Sequence, residues 1–309
     1  MSVPQISFAA GEAVLDWLRL TDALAAAHDL PKAEIADTFL YRGEDTLLTR
    51  SAWIDGLGLA VKAATVYPGN KARGLAAVNG AVNLMSDLTG ELEAIVDFHL
   101  VTKWKTAGDS LLAARRLARP DSRVILIIGA GTVAGTLREA YGAAFPEARF
   151  LCWNRSPAGA EALAARHPRT EAVTDLPAAV GQADIVTCAT MATTPYLDGT
   201  WLRPGQHIDL IGAYRPDMRE AMDSVLRRAR IFVDSYDTTL GHIGEIQTPL
   251  DTGVITRADL LADFYDLPAF TRTSEAEITL FKNGGGAHLD LMTARHVFDA
   301  WRAAQGAAG

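Results

Sequence analysis

The pattern of apolar and polar positions changes near residue 120, and the later part of the chain gives the clearer prediction. From there, short uninterrupted apolar runs alternate with stretches of helical periodicity. The predicted strands read RVILIIGAG, RFLCWN, ADIVTCAT, HIDLIGA and RIFVDS, and the first helices between them read VAGTLREAYGAAF and AGAEALAARH. Such continuous apolar strands are typical of a parallel sheet that helices cover on both faces. The sequence therefore predicts an α/β protein with a Rossmann-type doubly wound parallel sheet.

The earlier part of the chain has a different pattern. Short β-like runs such as TVYPGN, GAVNLMSD and GELEAIVD are interrupted by Gly, Pro and Asn, as in a mixed sheet with tight turns. A helix is predicted over about residues 102–118, ending before Pro120, and the last helix reads LDLMTARHVFDAWRAAQ. We therefore predict a Rossmann domain at residues 120–285 and a discontinuous α+β domain at residues 1–119 and 286–309.

Composition and charge narrow the class of protein. The chain has 309 residues, of which 49% are hydrophobic and 21% charged, as in an ordinary globular protein. A formal net charge of −8 argues against nucleic acid or an anionic membrane as a partner. The two cysteines and the scattered histidines form no ligand pattern, so no metal site is predicted. Without a long apolar run or a signal-peptide pattern, we expect a soluble, cytoplasmic, globular protein.

The strongest motif is GAGTVA, which directly follows the apolar run VILII and opens the next predicted helix. In a dinucleotide site, Gly129 permits the tight turn, Gly131 lets the backbone approach a diphosphate, and Ala134 allows close helix–strand packing. The free N–H groups of the first helical turn, at Thr132 and Val133, then face the diphosphate. A glycine turn that binds nothing is the alternative, which the strand–turn–helix context disfavours.

The end of the second strand of this domain bears on the choice of cofactor. NAD-specific sites usually place Asp or Glu there, to bind the ribose 2′-hydroxyl. Here the strand leads into Asn154, Arg155 and Ser156, and Arg155 is a fixed cation that can pair with a 2′-phosphate. We therefore predict a preference for NADP(H), with NAD(H) as the second candidate. A solvated loop arginine is the alternative interpretation.

Two further positions complete the predicted cofactor site. Thr190 is the last residue of the predicted strand ADIVTCAT, and Gly285 lies in the Gly-rich turn before the last helix. Consecutive glycines let the backbone come close to a ligand, in this case the nicotinamide. A plain loop leading into the helix is the alternative for these glycines.

Three isolated cations in the first part of the chain are candidates for substrate chemistry. Lys62 interrupts the apolar run LAVKAATV, and burying a lone ammonium group is costly without a partner. Lys105 lies in the first turns of a predicted helix, where an exposed pair with Asp109, four residues on, is the alternative. Arg42 follows the run DTFLY, and a surface ion pair with the acidic residues after it is the alternative there.

The chain resembles the ornithine cyclodeaminase/μ-crystallin family along nearly its whole length. The matching segments are Arg42, VKAATVYPGN, DLTGELEAIVD, TKWKTAGDS, GAGTVA, IGAYRPDMREAMD and EAEITLFKNGGGAHLD, in the family's order. The resemblance implies a homodimer whose first domain binds substrate and forms the interface, with the substrate pocket between that domain and the nicotinamide. It also implies that Arg42 and Lys105 bind the substrate carboxylate, that Thr106 keeps the family's threonine, and that Lys62 is the pocket lysine.

The sequence departs from the cyclodeaminase pattern at two positions. Lys105 stands where the family usually has an arginine, so the charge is kept and the bidentate guanidinium is lost. Tyr214 stands where cyclodeaminases have the aspartate that handles the substrate's amino group. The resemblance therefore favours an NAD(P)H-dependent reductase that converts Δ1-pyrroline-2-carboxylate or Δ1-piperideine-2-carboxylate to L-proline or L-pipecolate. Lys62, buried beside Arg42, is then expected to polarise or protonate the imine nitrogen.

Three alternatives within the family stay open. An ornithine cyclodeaminase forms L-proline and ammonia from L-ornithine. An alanine- or opine-type dehydrogenase acts on an open-chain 2-oxo acid and an amine. A hormone-binding protein like μ-crystallin keeps the NADPH site without turnover, and the presence of both Lys62 and Arg42 weighs against that alternative.

Overall fold

The computed structural model of this protein describes residues 3–307. The described residues divide into two compact units, one reaching to Lys105 and resuming at Gly286, the other spanning Thr106–Gly285. The first boundary, after Lys105, lies inside the helix Phe98–Leu117, whereas the sequence predicts a boundary after residue 119.

Six strands form the sheet of the first unit: β1 (Gln5–Ile6), β2 (Glu34–Arg42), β3 (Asp45–Ile54), β4 (Gly58–Val66), β5 (Val78–Met85) and β6 (Leu92–Asp97). Their order across the sheet is β1–β6–β5–β4–β3–β2. Neighbouring strands are antiparallel except β1 and β6, which are parallel. The strand β2 therefore lies at one edge of the sheet.

The helices of the first unit are α1 (Phe8–Glu12), α2 (Trp17–His28), the start of α3 (Phe98–Leu117) and α10 (Ala287–Ala307). The helix α3 begins earlier than the predicted start near residue 102, because the Asp97 carboxylate accepts a hydrogen bond from the Leu100 N–H at 2.9 Å. The helix α10 packs on β3 and β4. Every second residue of β4 is buried on that side, and Lys62 is one of them.

The second unit contains an eight-stranded sheet in which every neighbouring pair is parallel. Its strands are β7 (Val124–Ile128), β8 (Arg149–Trp153), β9 (Thr170–Ala172), β10 (Ile185–Cys188), β11 (His207–Leu210), β12 (Ala229–Val233), β13 (Leu260–Ala262) and β14 (Ile278–Lys282). The order is β13–β12–β14–β11–β10–β7–β8–β9. This arrangement confirms the predicted Rossmann-type fold.

The helices of the second unit are α4 (Thr132–Ala144), α5 (Pro157–Arg166), α6 (Leu176–Gln182), α7 (Asp223–Leu226), α8 (Tyr236–Thr239) and α9 (Gly244–Asp251). The strand order reverses between β7 and β10, and ligands of such sheets bind outside the carboxyl ends of the strands at that point. The central strands carry fully buried apolar side chains, which explains their continuous apolar sequence. In residues 3–307, no helix is long and apolar enough to cross a membrane.

Candidate functional site

The GAGTVA loop connects β7 to α4 at the point where the strand order reverses. Gly129 has φ +112°, and a Cβ there would lie 2.6 Å from the Ala189 carbonyl oxygen, so only glycine fits. Gly131 is the N-cap of α4 and makes no side-chain cap, which leaves the N–H groups at Thr132 and Val133 without a side-chain acceptor. A Cβ at Gly131 would meet nothing within 4 Å. This open helix start fits the diphosphate of a dinucleotide.

The residues after β8 present a cation to solvent. The Asn154 side chain donates to the Ser156 carbonyl oxygen at 2.9 Å and so shapes the turn before α5. Arg155 is exposed and forms no hydrogen bond or ion pair with any part of the chain that the structure describes. Because a solvated guanidinium keeps its full donor capacity, Arg155 is available to an anionic ligand.

Thr190 and Gly285 are held by buried carboxylates that sequence reasoning missed. Glu220 accepts from the Thr190 N–H at 2.7 Å and from its hydroxyl at 2.6 Å. Asp234 accepts from the Gly285 N–H at 2.6 Å, and Gly285 has φ +70°. Both backbone donors are therefore used inside the protein, so these residues shape the strand-end loops rather than offer free N–H groups.

Lys62 is the centre of the charged cluster in the first unit. Its ammonium group donates to Asp290 Oδ1 at 2.9 Å and to the Thr102 hydroxyl at 2.9 Å. The same nitrogen lies 4.7 Å from the centroid of the Phe98 ring. These contacts provide the partner that a buried lysine needs, and the partner is the Asp290 carboxylate.

Asp290 is a site residue without a sequence signal of its own, because it lies 228 positions from Lys62 in the chain. Burial raises the pKa of the Asp290 carboxyl, but the charges of Lys105, Lys62 and Arg50 outweigh this and hold the pKa below its ordinary value. Its second oxygen, Oδ2, is buried and has no hydrogen-bond partner within residues 3–307. The carboxylate can therefore accept one more hydrogen bond.

Lys105 joins this cluster from α3. Its ammonium group lies 3.8 Å from Asp290 Oδ1, and both side chains are buried. Asp109 is also fully buried, so the alternative of an exposed helical pair between Lys105 and Asp109 is wrong. Thr106, the next residue of α3, accepts a hydrogen bond at its carbonyl oxygen from the Asn283 side chain at 3.0 Å.

Arg42 does not lie with the two lysines. Its side chain is 78% exposed, pairs with Asp45 at 3.0 Å, and lies 5.8 Å from the Tyr67 ring centroid. In the strand register Arg42 is opposite Asp45, whereas Lys62 is opposite Arg50. Asp45 and Arg50 are an odd number of positions apart on β3, so Arg42 and Lys62 lie on opposite faces of the sheet. The expected position of Lys62 beside Arg42 is therefore wrong.

Arg50, on β3, is the arginine that lies beside Lys62, where Arg42 was expected. It lies opposite Lys62 in the register and is oriented by Asp37 on β2. The guanidinium Nε lies 3.1 and 3.0 Å from the two Asp37 oxygens, and Nη2 lies 2.8 Å from Oδ2. The Arg50 side chain is 23% exposed. The charges of Lys105, Lys62 and Arg50 all lower the pKa of the Asp290 carboxyl, and such a group of cations is suited to binding a carboxylate.

Tyr214 follows β11 and is 56% exposed. The guanidinium of Arg215 lies 5.5 Å from its ring centroid and pairs with Asp217 at 2.8 Å. The carboxylate of Asp217, the acidic residue nearest to Tyr214 in this segment, is therefore already paired with Arg215. Among the described residues, no group of three or more His, Cys, Asp or Glu side chains is placed to hold a metal ion.

The chain is similar to known proteins in both sequence and fold. The model of the ornithine cyclodeaminase/mu-crystallin family matches residues 52–305. A Δ1-pyrroline-2-carboxylate reductase of Paracoccus denitrificans is 52% identical over 305 residues, covering 96% of each protein. The solved Δ1-pyrroline-2-carboxylate reductase of Thermococcus litoralis, in complex with NADH and L-proline, has a TM-score of 0.88 at 26% identity, covering 98% of each chain. An archaeal alanine dehydrogenase dimer with bound NAD has a TM-score of 0.88 at 26% identity, covering 99% of this chain and 98% of its own.

Proposed function

Because this chain belongs to the ornithine cyclodeaminase/mu-crystallin family, we propose that it is an NAD(P)H-dependent reductase of cyclic imino acids, with Δ1-pyrroline-2-carboxylate as substrate and L-proline as product. The observation that carries this proposal is the buried Lys62–Asp290 pair with Lys105 and Arg50 around it. This cluster provides hydrogen-bond donors for the substrate carboxylate and a proton donor for the imine nitrogen. Reduction of a cyclic imino acid requires both.

The substrate carboxylate is held by Arg50 and Lys105. Asp37 fixes the guanidinium of Arg50 through two of its nitrogens, so little side-chain freedom is lost when the carboxylate binds. Lys105 supplies a compact second charge where the family usually has a guanidinium. Arg42, on the opposite face, has no part in this contact.

The imine nitrogen receives its proton from Lys62. Thr102 and Asp290 fix the ammonium nitrogen, and the free Oδ2 of Asp290 accepts the N–H of the protonated substrate nitrogen. A bound nicotinamide cofactor in its reduced form would supply the hydride that the imine carbon accepts. Hydride and proton together convert C=N to CH–NH, and Lys62 regains its proton from solvent.

The activity is tested by following NADPH oxidation at fixed cofactor with each of the two ring sizes, Δ1-pyrroline-2-carboxylate and Δ1-piperideine-2-carboxylate. We expect turnover of the five-membered substrate with one L-proline formed for each NADPH oxidised. NADPH oxidation without a corresponding amino acid product would refute the proposal.

The cofactor preferred by the enzyme is NADPH, because the exposed Arg155 is available to the 2′-phosphate and no acid stands at this strand end. Replacing Arg155 with Ala is expected to weaken NADPH binding by about 1–3 kcal/mol and to leave NADH binding unchanged. Calorimetric titration of both cofactors measures this. Arg166→Ala, at the exposed far end of α5, is the matched control. Equal losses for the two cofactors, or a native preference for NADH, would contradict the assignment.

The protein forms a homodimer through the edge strand β2. Phe39, Leu40 and Tyr41 are 49%, 68% and 73% exposed there, and an apolar edge strand of this kind is normally covered by a partner. Sedimentation should give twice the mass of the 33.1 kDa chain for the native protein and the single mass for Leu40→Glu. Leu88→Glu, at a turn residue that is 93% exposed, should leave the dimer intact. A monomeric native protein would overturn the proposal.

A further inference from the structure

One buried carboxylate joins the loops that follow two central strands of the second unit. Glu220 is fully buried. Its Oε1 accepts from the Thr190 N–H at 2.7 Å and also from the Tyr196 hydroxyl at 3.1 Å. Its Oε2 accepts from the Gly212 N–H at 2.7 Å. Because Thr190 follows β10 and Gly212 follows β11, this group of four residues, here called the Glu220 clasp, fixes both strand ends together.

The chemistry of the clasp requires a carboxylate. The backbone N–H groups of Thr190 and Gly212 can only donate, and each uses a different oxygen of Glu220. A glutamine at this position has only one acceptor oxygen, so its amide nitrogen would face one of the two N–H groups. A substitution that barely changes the shape of the side chain therefore breaks one of the two backbone contacts.

The two loops also touch directly. A Cβ added at Gly212 would lie 1.8 Å from the Thr190 carbonyl oxygen and 2.6 Å from Glu220 Oε1. The backbone of one loop thus runs against the other with no room for a side chain. This close approach is a second observation, beside the hydrogen bonds, that the two loops lie directly against each other at the clasp.

Two other buried side chains, Glu245 and Lys282, form hydrogen bonds with the backbone around the clasp. Glu245 accepts from the N–H groups of Glu220 and Ala221 at 2.6 and 3.0 Å. The buried ammonium of Lys282 donates to the carbonyl oxygens of Leu210 and Asn283 at 3.0 and 2.6 Å. Burial raises the pKa of the Glu220 and Glu245 carboxyls, and the charge of Lys282 opposes this rise. Several buried charges therefore serve to fix one small region of backbone.

This region lies on one side of the point where the strand order reverses. In a doubly wound sheet the two halves each bind one mononucleotide of the cofactor across that point. Arg155, after β8, marks the adenosine half, and the carboxyl ends of β10 and β11 belong to the other half. We propose that Glu220 is a positioning residue that fixes the loops against which the nicotinamide half of the cofactor binds. This inference rests on the proposed use of NAD(P)H.

The test compares the whole cofactor with a fragment of it. Calorimetric titration of Glu220→Gln should show at least tenfold weaker binding of NADPH. Binding of 2′-phospho-ADP-ribose, which lacks the nicotinamide, should stay within twofold of the wild-type value. Glu161→Gln, an exposed glutamate on α5, should leave both affinities unchanged. A parallel loss for both ligands, or no loss for NADPH, would overturn the proposal.

A second measurement covers the case in which Glu220→Gln does not fold. Amide hydrogen exchange of the wild-type protein without ligand should show the Thr190 and Gly212 amides strongly protected, although both lie in loops. Exchange of either amide at the rate of an exposed loop would refute the clasp. A wild-type protein that binds NADPH but reduces no imine would refute only the proposed reaction. The proposal for Glu220 would stand, because it is tested by the binding affinities of NADPH and its fragment and not by turnover.

Discussion

Replacing Lys62 with Met is expected to lower kcat for reduction of Δ1-pyrroline-2-carboxylate by about 10²–10⁴-fold, the usual contribution of a positioned acid or base. The ammonium group of Lys62 is the donor that Thr102 and Asp290 fix at 2.9 Å each, and the thioether of methionine donates no proton. NADPH affinity should stay near the native value. Stopped-flow single turnovers separate hydride transfer from binding. Lys32→Met, at an exposed lysine of the same unit, is the control.

The substitution also removes the partner of a buried carboxylate, so its effect on stability must be separated from its effect on catalysis. Breaking a buried ion pair typically costs about 3–5 kcal/mol, and Lys105, at 3.8 Å from Asp290, will offset part of this. The double variant Lys62→Met/Asp290→Asn should regain stability in urea unfolding and should not regain activity. Recovery of activity in the double variant, or a native kcat in the single one, would show that Lys62 is not the proton donor.

Arg50→Ala is expected to raise KM for the imino acid by about 10- to 100-fold, since a charged hydrogen bond to a carboxylate contributes about 1.5–3 kcal/mol. Arg42→Ala should stay within about twofold of the native enzyme, because its side chain is exposed and lies on the face opposite Lys62. Steady-state kinetics on both variants measure the difference. The KM of Arg50→Lys should lie between those of Arg50→Ala and Arg42→Ala, because lysine keeps the positive charge but not the bidentate guanidinium. Loss of activity in Arg42→Ala with a native-like Arg50→Ala would restore the assignment based on family resemblance.

These two arginines illustrate what could not be predicted from the sequence alone, namely which of them lies on the same face of the sheet as Lys62. Arg42 and Arg50 lie on adjacent strands, and which of them is on the same face as Lys62 depends on two registers, that of β2 with β3 and that of β3 with β4. A shift of one position in either register moves the side chains of a strand to the other face of the sheet, and the family resemblance on which Arg42 was assigned does not specify these registers. The Rossmann sheet was predictable because its signals are local: continuous apolar strands, and a glycine loop between strand and helix.

The buried carboxylates illustrate the same limit. Asp290 lies beside Lys62 only because α10 packs on β3 and β4, and Glu220 meets Thr190 only after the parallel sheet has formed. A buried acid is costly to desolvate, and its role depends on the donors around it rather than on its own position in a motif. Lys62 was identifiable because a charge within an apolar strand needs a partner, although its partner was not identifiable from the sequence.

Tyr214 bears on the choice between reduction and cyclodeamination. A carboxylate at this position can accept a proton from the substrate's distal amine, whereas a phenol is not a base at neutral pH. The nearby acid Asp217 is paired with Arg215. A reductase needs no such base, because its substrate arrives already cyclised.

The most direct measurement is therefore the product balance of the wild-type protein given L-ornithine with NADP⁺ in one vessel and Δ1-pyrroline-2-carboxylate with NADPH in another. We expect L-proline to form from the imino acid with equal consumption of NADPH, and negligible ammonia to be released from L-ornithine. Stoichiometric L-proline and ammonia from L-ornithine, without net change in the cofactor, would contradict the proposed reductase and identify a cyclodeaminase in which another group replaces the missing aspartate.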